Sequence, residues 1–278
     1  MFMKYKFYGT AAAEGIPAIF CECETCKRAW EKGGKNIMTR SQSVIDDTLG
    51  IDFPADTYLH ILNYGLPVTD ISTFIITHKH SDHFYVNDFF MHSPGYAYVP
   101  EDKEIDIYTT KLGYDYAAEA LVGAFGVSVR CHLIEDFVPF VTKEGYKVTP
   151  LKADHCVDAV IFLIEKDGKC VLHSNDTGYY PKETWDWLEK NRTYINFAEF
   201  DCTMCGFNTE NDRHHNHSNF STVENIKRRL EKMGCINEQT ICVLNHFSHN
   251  YGMIYDDLKK YGDAKGYLTA YDGLEVNF

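Results

Sequence analysis

The stretch Phe74-Ile-Ile-Thr-His-Lys-His-Ser-Asp-His83 carries an apolar strand pattern straight into three histidines and an aspartate within six positions. In an extended segment His78 and His80 are two apart and point to one side. Asp82 and His83 follow where the chain turns toward a helix, so the four side chains can divide between two neighbouring metal ions. Imidazole nitrogen and carboxylate oxygen with no thiolate suit Zn²⁺, Mn²⁺ or Fe²⁺. The competing reading is a polar turn of unrelated histidines, and so dense a run of ligand types argues against it.

On either side of this stretch, short β-type runs recur at residues 5–8, 43–45, 73–77, 105–108, 146–150, 159–164, 170–173, 193–197, 240–244 and 266–269. Helical patterns fall at 24–32, 114–124, 182–190, 221–233 and 255–261, the fourth opening with a Ser-x-x-Glu capping box from Ser221 to Glu224. Strands arrive in groups with helices between and after them. That order predicts an α+β chain of two sheets with helical outer layers, not an alternating parallel sheet. No linker-like, low-complexity or repeated stretch interrupts it, so residues 1–278 read as one domain.

With 45% hydrophobic and 24% charged residues the 278-residue chain can bury a sizeable core, which excludes disorder and fibre. Its 27 Lys and Arg against 40 Asp and Glu give a net charge of −13, a field that repels phosphate backbones and anionic membranes. Lys4 and Lys6 break the only apolar stretch near the start, and no long apolar run follows, which predicts a cytoplasmic protein without membrane contact. Ten cysteines in such a chain do not read as a disulfide framework, and where they cluster they point to metal ligation.

The segment Thr77-His-Lys-His-Ser-Asp-His83 resembles the Thr-His-x-His-x-Asp-His signature of the metallo-β-lactamase superfamily, and four further matches follow the order of that resemblance. Asp52 stands in Gly-Ile-Asp-Phe, His155 in Ala-Asp-His-Cys, Asp176 in His-Ser-Asn-Asp-Thr-Gly and His246 in Leu-Asn-His-Phe. Each sits just after a strand pattern, where the loop ends of a rigid sheet carry functional groups. The resemblance implies an αββα sandwich of two mixed sheets with helices on both outer faces and a metal site at one edge. It implies that His78, His80 and His155 hold one metal, that Asp82, His83 and His246 hold the other, that Asp176 bridges them, and that Asp52 orients ligands from behind. Two departures stand out: Phe53-Pro54 replaces the glycine that usually follows the first Asp, and no glycine follows Asp82-His83.

A second array, Cys21-Glu-Cys-Glu-Thr-Cys26, is tight enough to face one tetrahedral ion. The superfamily branch of the cyclic phosphodiesterase of the carbon–phosphorus lyase pathway, which the chain resembles here, carries a structural zinc of this kind, with His249 as the implied fourth ligand. The same branch places a histidine before a late helix to assist phosphate chemistry as oxyanion donor or proton donor. His217, followed by Ser218, is the nearest match in Asp212-Arg-His-His-Asn-His-Ser-Asn-Phe220, with His214 and His215 as alternatives in neighbouring registers. Cys202 and Cys205 form a Cys-x-x-Cys, weak evidence for a third metal site or a redox couple, and read as core or surface thiols, while Cys156, beside His155 and able to see the site, reads as a packing residue.

Relatives that perform redox chemistry on this fold place Glu where this chain has His80, so the nitrogen-rich set implies a hydrolase. Two divalent ions, Zn or Mn, can hold a bridging hydroxide and clamp the attacked group, with Asp82 and His217 as the catalytic side chains. The leading expectation is a phosphodiesterase acting on a small diester, cyclic phosphates on ribose or a nucleotide included. A homodimer is compatible with it. A tRNA 3′-processing nuclease, a lactam or thioester hydrolase, and a non-hydrolytic metal-binding or redox protein are the alternatives, the nuclease being disfavoured by the charge.

Overall fold

In β1 (Lys4–Gly9), Tyr5 and Phe7 join one buried cluster and Tyr8 another, the alternation of a strand covered on both faces. Phe74 and Ile75 of β4 (Thr73–Ile75) divide in the same way. The computed structural model describes residues 2–100, 103–121 and 129–278. One sheet has the order β14 (Glu275–Asn277), β1, β2 (Gln42–Ile45), β3 (Leu49–Ile51), β4, β5 (Ile105–Thr109), β6 (Val129–Leu133). The other runs β13 (Leu268–Thr269), β12 (Ile241–Asn245), β11 (Phe197–Asp201), β10 (Lys169–Ser174), β9 (Val160–Lys166), β8 (Lys147–Lys152), β7 (Phe140–Val141). Both are mixed: β3 to β6 and β10 to β13 pair in parallel, and the other pairs are antiparallel.

Helices cover both outer faces. Ile61 and Tyr64 of α2 (Thr57–Tyr64) and Ala117 of α3 (Lys111–Ala120) pack with Phe74 and Ile107 of the first sheet. Trp185 and Leu188 of α4 (Lys182–Asn191), Val223 and Leu230 of α5 (Phe220–Met233) and Leu258 of α6 (Tyr255–Lys265) join the core that contains the second. The chain is an αββα sandwich of the α+β class, completed near its start by α1 (Glu24–Lys32). Among the described residues no helix is long and apolar enough to cross a membrane.

Several local expectations are corrected. The strand expected at 193–197 begins only at Phe197, because Asn196 is occupied with Cys170, donating its backbone N–H to that carbonyl and accepting the Cys170 N–H on its side chain. Helix α5 is capped by Asn219, whose side chain accepts the Thr222 N–H at 2.8 Å, so the capping box at Ser221 does not form. Ser221 instead donates to the Thr209 carbonyl. Helix α3 starts at Lys111, and residues 122–124 of the expected helix lie outside the described residues. Helix α2 and the short strands β3, β6, β7 and β14 had no pattern of their own to announce them.

What matters for the site is direction. The segments bearing Asp52, His78 to His83, His155, Asp176 and His246 leave the carboxyl ends of β3, β4, β8, β10 and β12, which the pairing brings to one edge of the sandwich.

Candidate metal centre

Two threonines set the pattern of the site. Thr77, two residues past β4, donates its hydroxyl to Asp52 Oδ1 at 3.0 Å, leaving its oxygen to accept from His78 Nδ1 at 3.0 Å. Thr203, just past β11, donates to Asp201 Oδ2 at 3.1 Å and accepts from His246 Nδ1 at 2.8 Å. Asp52 also takes the Nδ1 proton of His83 at 2.6 Å, and the Asn216 carbonyl takes that of His155 at 3.2 Å. With their outer nitrogens tied in this way, His78, His83, His155 and His246 are locked in one tautomer and present Nε2 inward.

The inward atoms form two groups that share an edge. Ligand atoms of His78, His80 and His155 all lie within 4.8 Å of one another, together with Cys156 Sγ, and those of Asp82, His83, Asp176 and His246 do the same. His80 turns Nδ1 toward His78 Nε2 at 2.9 Å and His155 Nε2 at 3.4 Å. Asp176 faces both groups, with Oδ1 at 3.7 Å from His155 Nε2 and Oδ2 at 2.5 Å from His83 Nε2 and 3.1 Å from His246 Nε2. Asp82 Oδ2 lies 3.2 Å from His83 Nε2. The seven candidate ligands are therefore brought together, with Asp176 grouped with Asp82, His83 and His246 and facing His155. Cys156, which could see the site from beside His155, lies next to the first group.

Electrostatics mark the same place. Burial, then the nearby His83, holds His78 well below the ordinary histidine value. Burial would also lower His83 and His246, but carboxylates led by Asp176 raise both. Asp82 and Asp176 are held low against their burial, Asp82 first by His83 and Asp176 first by His246. Asp176 Oδ2 is buried against the inward nitrogens of His83 and His246 alone, a place that a cation would satisfy. Three inward imidazoles beside a second set of one more imidazole pair and two carboxylates are donors for borderline divalent ions, and the His/Asp cluster fits a metal site.

His217 stands beside the cluster. Its Nδ1 is 3.1 Å from Asp201 Oδ2 and 3.5 Å from Asp176 Oδ1, and its ring centre is 4.8 Å from that of His155. Burial lowers it, yet Asp201 and then Asp176 push it up to about 9. His214 and His215 take other places: His215 bonds Asp154 Oδ2 at 2.9 Å with its side chain 85% exposed, and the His214 carbonyl accepts from Tyr179 N–H at 2.8 Å. Gly178 permits this docking, since a Cβ there would come within 2.2 Å of the His214 oxygen. Asp201 and the two threonines escaped the sequence reading. The available signal was the Asp-x-Thr spacing at the end of a strand, Asp201-Cys-Thr203.

The missing glycines have a physical reason. Phe53 and Phe84 form a bridge, with Phe53 N–H on the His83 carbonyl and Tyr85 N–H on the Phe53 carbonyl, both at 2.7 Å. The Phe53 ring meets Phe74 edge-on at 5.2 Å and Phe89 at 4.2 Å. Aromatic packing fixes the loops that other chains turn with glycine.

On the far side of His246, Cys21, Cys23, Cys26 and His249 bring four ligand atoms within 4.8 Å of one another. Cys23 caps α1, so the thiols sit at the positive end of a helix. Against partial burial, the Cys26 N–H and His249 bring Cys23 down to about 6. Glu14 Oε1 stands 3.6 Å from His249 Nε2, a carboxylate placed behind the ring. Cys202 and Cys205 are buried, and burial raises both thiols.

A family model described as the beta-lactamase superfamily domain matches residues 59–247. Among solved structures, a diphosphatase from the PhnP family aligns with a TM-score of 0.73 and 18% identity, over 100% of this chain and 98% of that one. Zn²⁺-bound PqqB from Methylobacterium extorquens gives 0.75 and 16% over 99% and 100%. Human tRNase Z, short form, gives 0.68 and 15% over 98% of each chain. No curated protein matches the sequence.

Proposed function

The chain belongs to the metallo-β-lactamase superfamily, and from that premise we propose that it is a metal-dependent hydrolase of small phosphodiesters, cyclic phosphates included. His78, His80 and His155 would hold one divalent ion, Zn or Mn, and Asp82, His83 and His246 a second, with Asp176 between them. Cys21, Cys23, Cys26 and His249 would hold a structural zinc. The catalytic ions, when bound, supply Lewis-acid activation of water and neutralise charge on the phosphoryl group.

The observation that carries the choice of a phosphodiester is His217, an imidazole beside both ligand groups whose Nδ1 is engaged by Asp201. The proton left for donation is on Nε2. A leaving alkoxide needs such a proton, whereas a ready leaving group does not. Asp52, directly on His83 and through Thr77 on His78, and Asp201, through Thr203 on His246, would hold the ligand rings in place. His80, where redox relatives carry Glu, supports hydrolysis over oxygen chemistry, and the net charge of −13 speaks against a bulky RNA substrate.

The test is a substrate panel on metal-loaded protein: bis(p-nitrophenyl) phosphate, a ribose cyclic phosphate, a precursor tRNA, a chromogenic cephalosporin and an acyl thioester. Turnover should be greatest on the two small diesters. Preferred cleavage of the tRNA, the lactam or the thioester would replace this reading with the corresponding one.

A further inference from the structure

Behind the Phe53–Phe84 bridge, on the outer side of the first sheet, lies a cavity of about 810 Å³ that none of the metal-cluster residues lines. Its inner wall is Phe53, Phe74 and Phe89, Ile61 of α2 closes one side, and Tyr58 stands at the rim. A space of this size with mostly apolar walls is the usual form of a small-molecule site.

Several of the polar side chains that line it are already engaged. Thr57 donates to the Pro54 carbonyl at 2.7 Å, Ser72 to Glu144, and Lys103 to the Thr69 carbonyl, while Glu104 pairs with Arg130. All four are satisfied by the protein. Asp88 and His92, one turn apart along and just past the 3₁₀ segment Val86–Met91, are not. The Asp88 carboxylate has no hydrogen-bond or ion-pair partner among the described residues, and partial burial alone raises it. His92 Nδ1 is buried with no partner among them, and burial first, then the charge of Lys103, keeps the ring on the neutral side. An ionised carboxylate and a neutral imidazole both accept, and the aromatic faces around them favour positive charge.

We propose that this cavity binds an amphipathic organic cation, an aromatic or aliphatic body carrying an ammonium group, with the body against Phe53, Phe74 and Phe89 and the ammonium on Asp88. The net charge of −13 draws such ligands toward the protein. The site is separate from the metal centre yet joined to it by one residue, since Phe53 follows Asp52, whose carboxylate holds the His83 ring.

Three ligands with one ring and different charge decide it: tryptamine, tryptophol and indole-3-acetate, titrated calorimetrically at pH 8 into metal-loaded protein. Tryptamine should bind tightest. Asp88→Asn should weaken tryptamine about tenfold, the usual loss of a charge-assisted hydrogen bond, and leave tryptophol unchanged. Ile61→Trp, which puts an indole where the ligand's body would lie, should abolish binding of all three while metal content stays as in the parent, which separates the cavity from amine capture at the metals. The proposal is overturned if none of the three binds the parent protein, if indole-3-acetate binds as tightly as tryptamine, or if tryptamine binding survives Ile61→Trp or is untouched by Asp88→Asn.

Discussion

Asp52 and Asp201 have matching places on the two sheets: each is bonded by a threonine hydroxyl whose oxygen accepts from a ligand histidine. Removing such a support loosens the ligand and leaves the ligand itself in place. Asp201→Ala should therefore lower both metal affinity and diester turnover by about 10–100-fold, read by metal titration and initial rates. His217→Ala should separate the two, keeping full metal content while losing about 10²–10⁴-fold in rate. If Nε2 donates a proton, that loss should shrink for p-nitrophenolate and grow for an alkoxide leaving group. An equal loss for both would make His217 an oxyanion donor, and no loss would remove it from the reaction. At this scale the candidate ligands were legible because metals demand particular atoms at particular spacings. The supporting roles of Asp201, Thr77 and Thr203 were not, since a carboxylate or hydroxyl that acts through another side chain leaves only a weak signal such as the Asp-x-Thr spacing of Asp201-Cys-Thr203.

The elements differ in how they could be read. Helix α1 matches its expected bounds because Cys23 both caps it and belongs to the thiol array, so two signals coincide. Cys23→Ser should cost stability far more than chemistry, because a structural zinc contributes folding free energy from outside the reaction. Denaturation midpoint and metal content should both fall while activity per folded molecule survives, and a variant of parental stability and metal content would refute the assignment. Strand β3 was not legible: three residues, Leu49–Ile51, carry no period, and Gly50 makes them look like a turn. The structure shows why the glycine is there. A Cβ on Gly50 would lie 2.3 Å from the Phe74 ring, which is wedged edge-on between Phe53 and Phe89. Gly50→Ala should cost about 1–3 kcal/mol by overpacking, measurable by urea denaturation.

Across the whole molecule, the two sheets are tied through polar as well as apolar contacts. Tyr5 of the first sheet donates its hydroxyl to Glu199 of the second, which also accepts from His173 and Asn245, next to the ligand His246. The carboxyl-terminal segment closes on the start of the chain through Asp272, which accepts from Thr10 Oγ1 at 2.7 Å and from Thr39 N–H and Oγ1 at 2.7 and 2.6 Å. Burial outweighs these donors and pushes Asp272 up to about 7. An acid raised on folding binds its proton more tightly in the native state, so stability falls as pH rises from the unfolded value, near 4, toward 7, and levels off above it. In that window the parent should lose about 1.4 kcal/mol per pH unit more than Asp272→Asn, read from denaturation curves between pH 5 and 8. An identical pH slope for the two would show that Asp272 is ionised throughout.

Such long-range closures cannot be read from a sequence, because nothing local says that residue 272 meets residues 10 and 39. The sandwich itself could be anticipated, because grouped strands with helices between them read as two sheets with helical outer layers, and the motifs that follow the strand patterns resemble the metallo-β-lactamase order, which implies it. The account rests on that edge being a hydrolytic metal centre, and metal-dependent turnover tests it most directly. Protein stripped by chelator should be inactive on bis(p-nitrophenyl) phosphate, and adding back Zn²⁺ or Mn²⁺ should restore turnover as the His/Asp sites fill. Unchanged turnover by the stripped protein, or no diester hydrolysis from protein holding about three equivalents of metal, would contradict it.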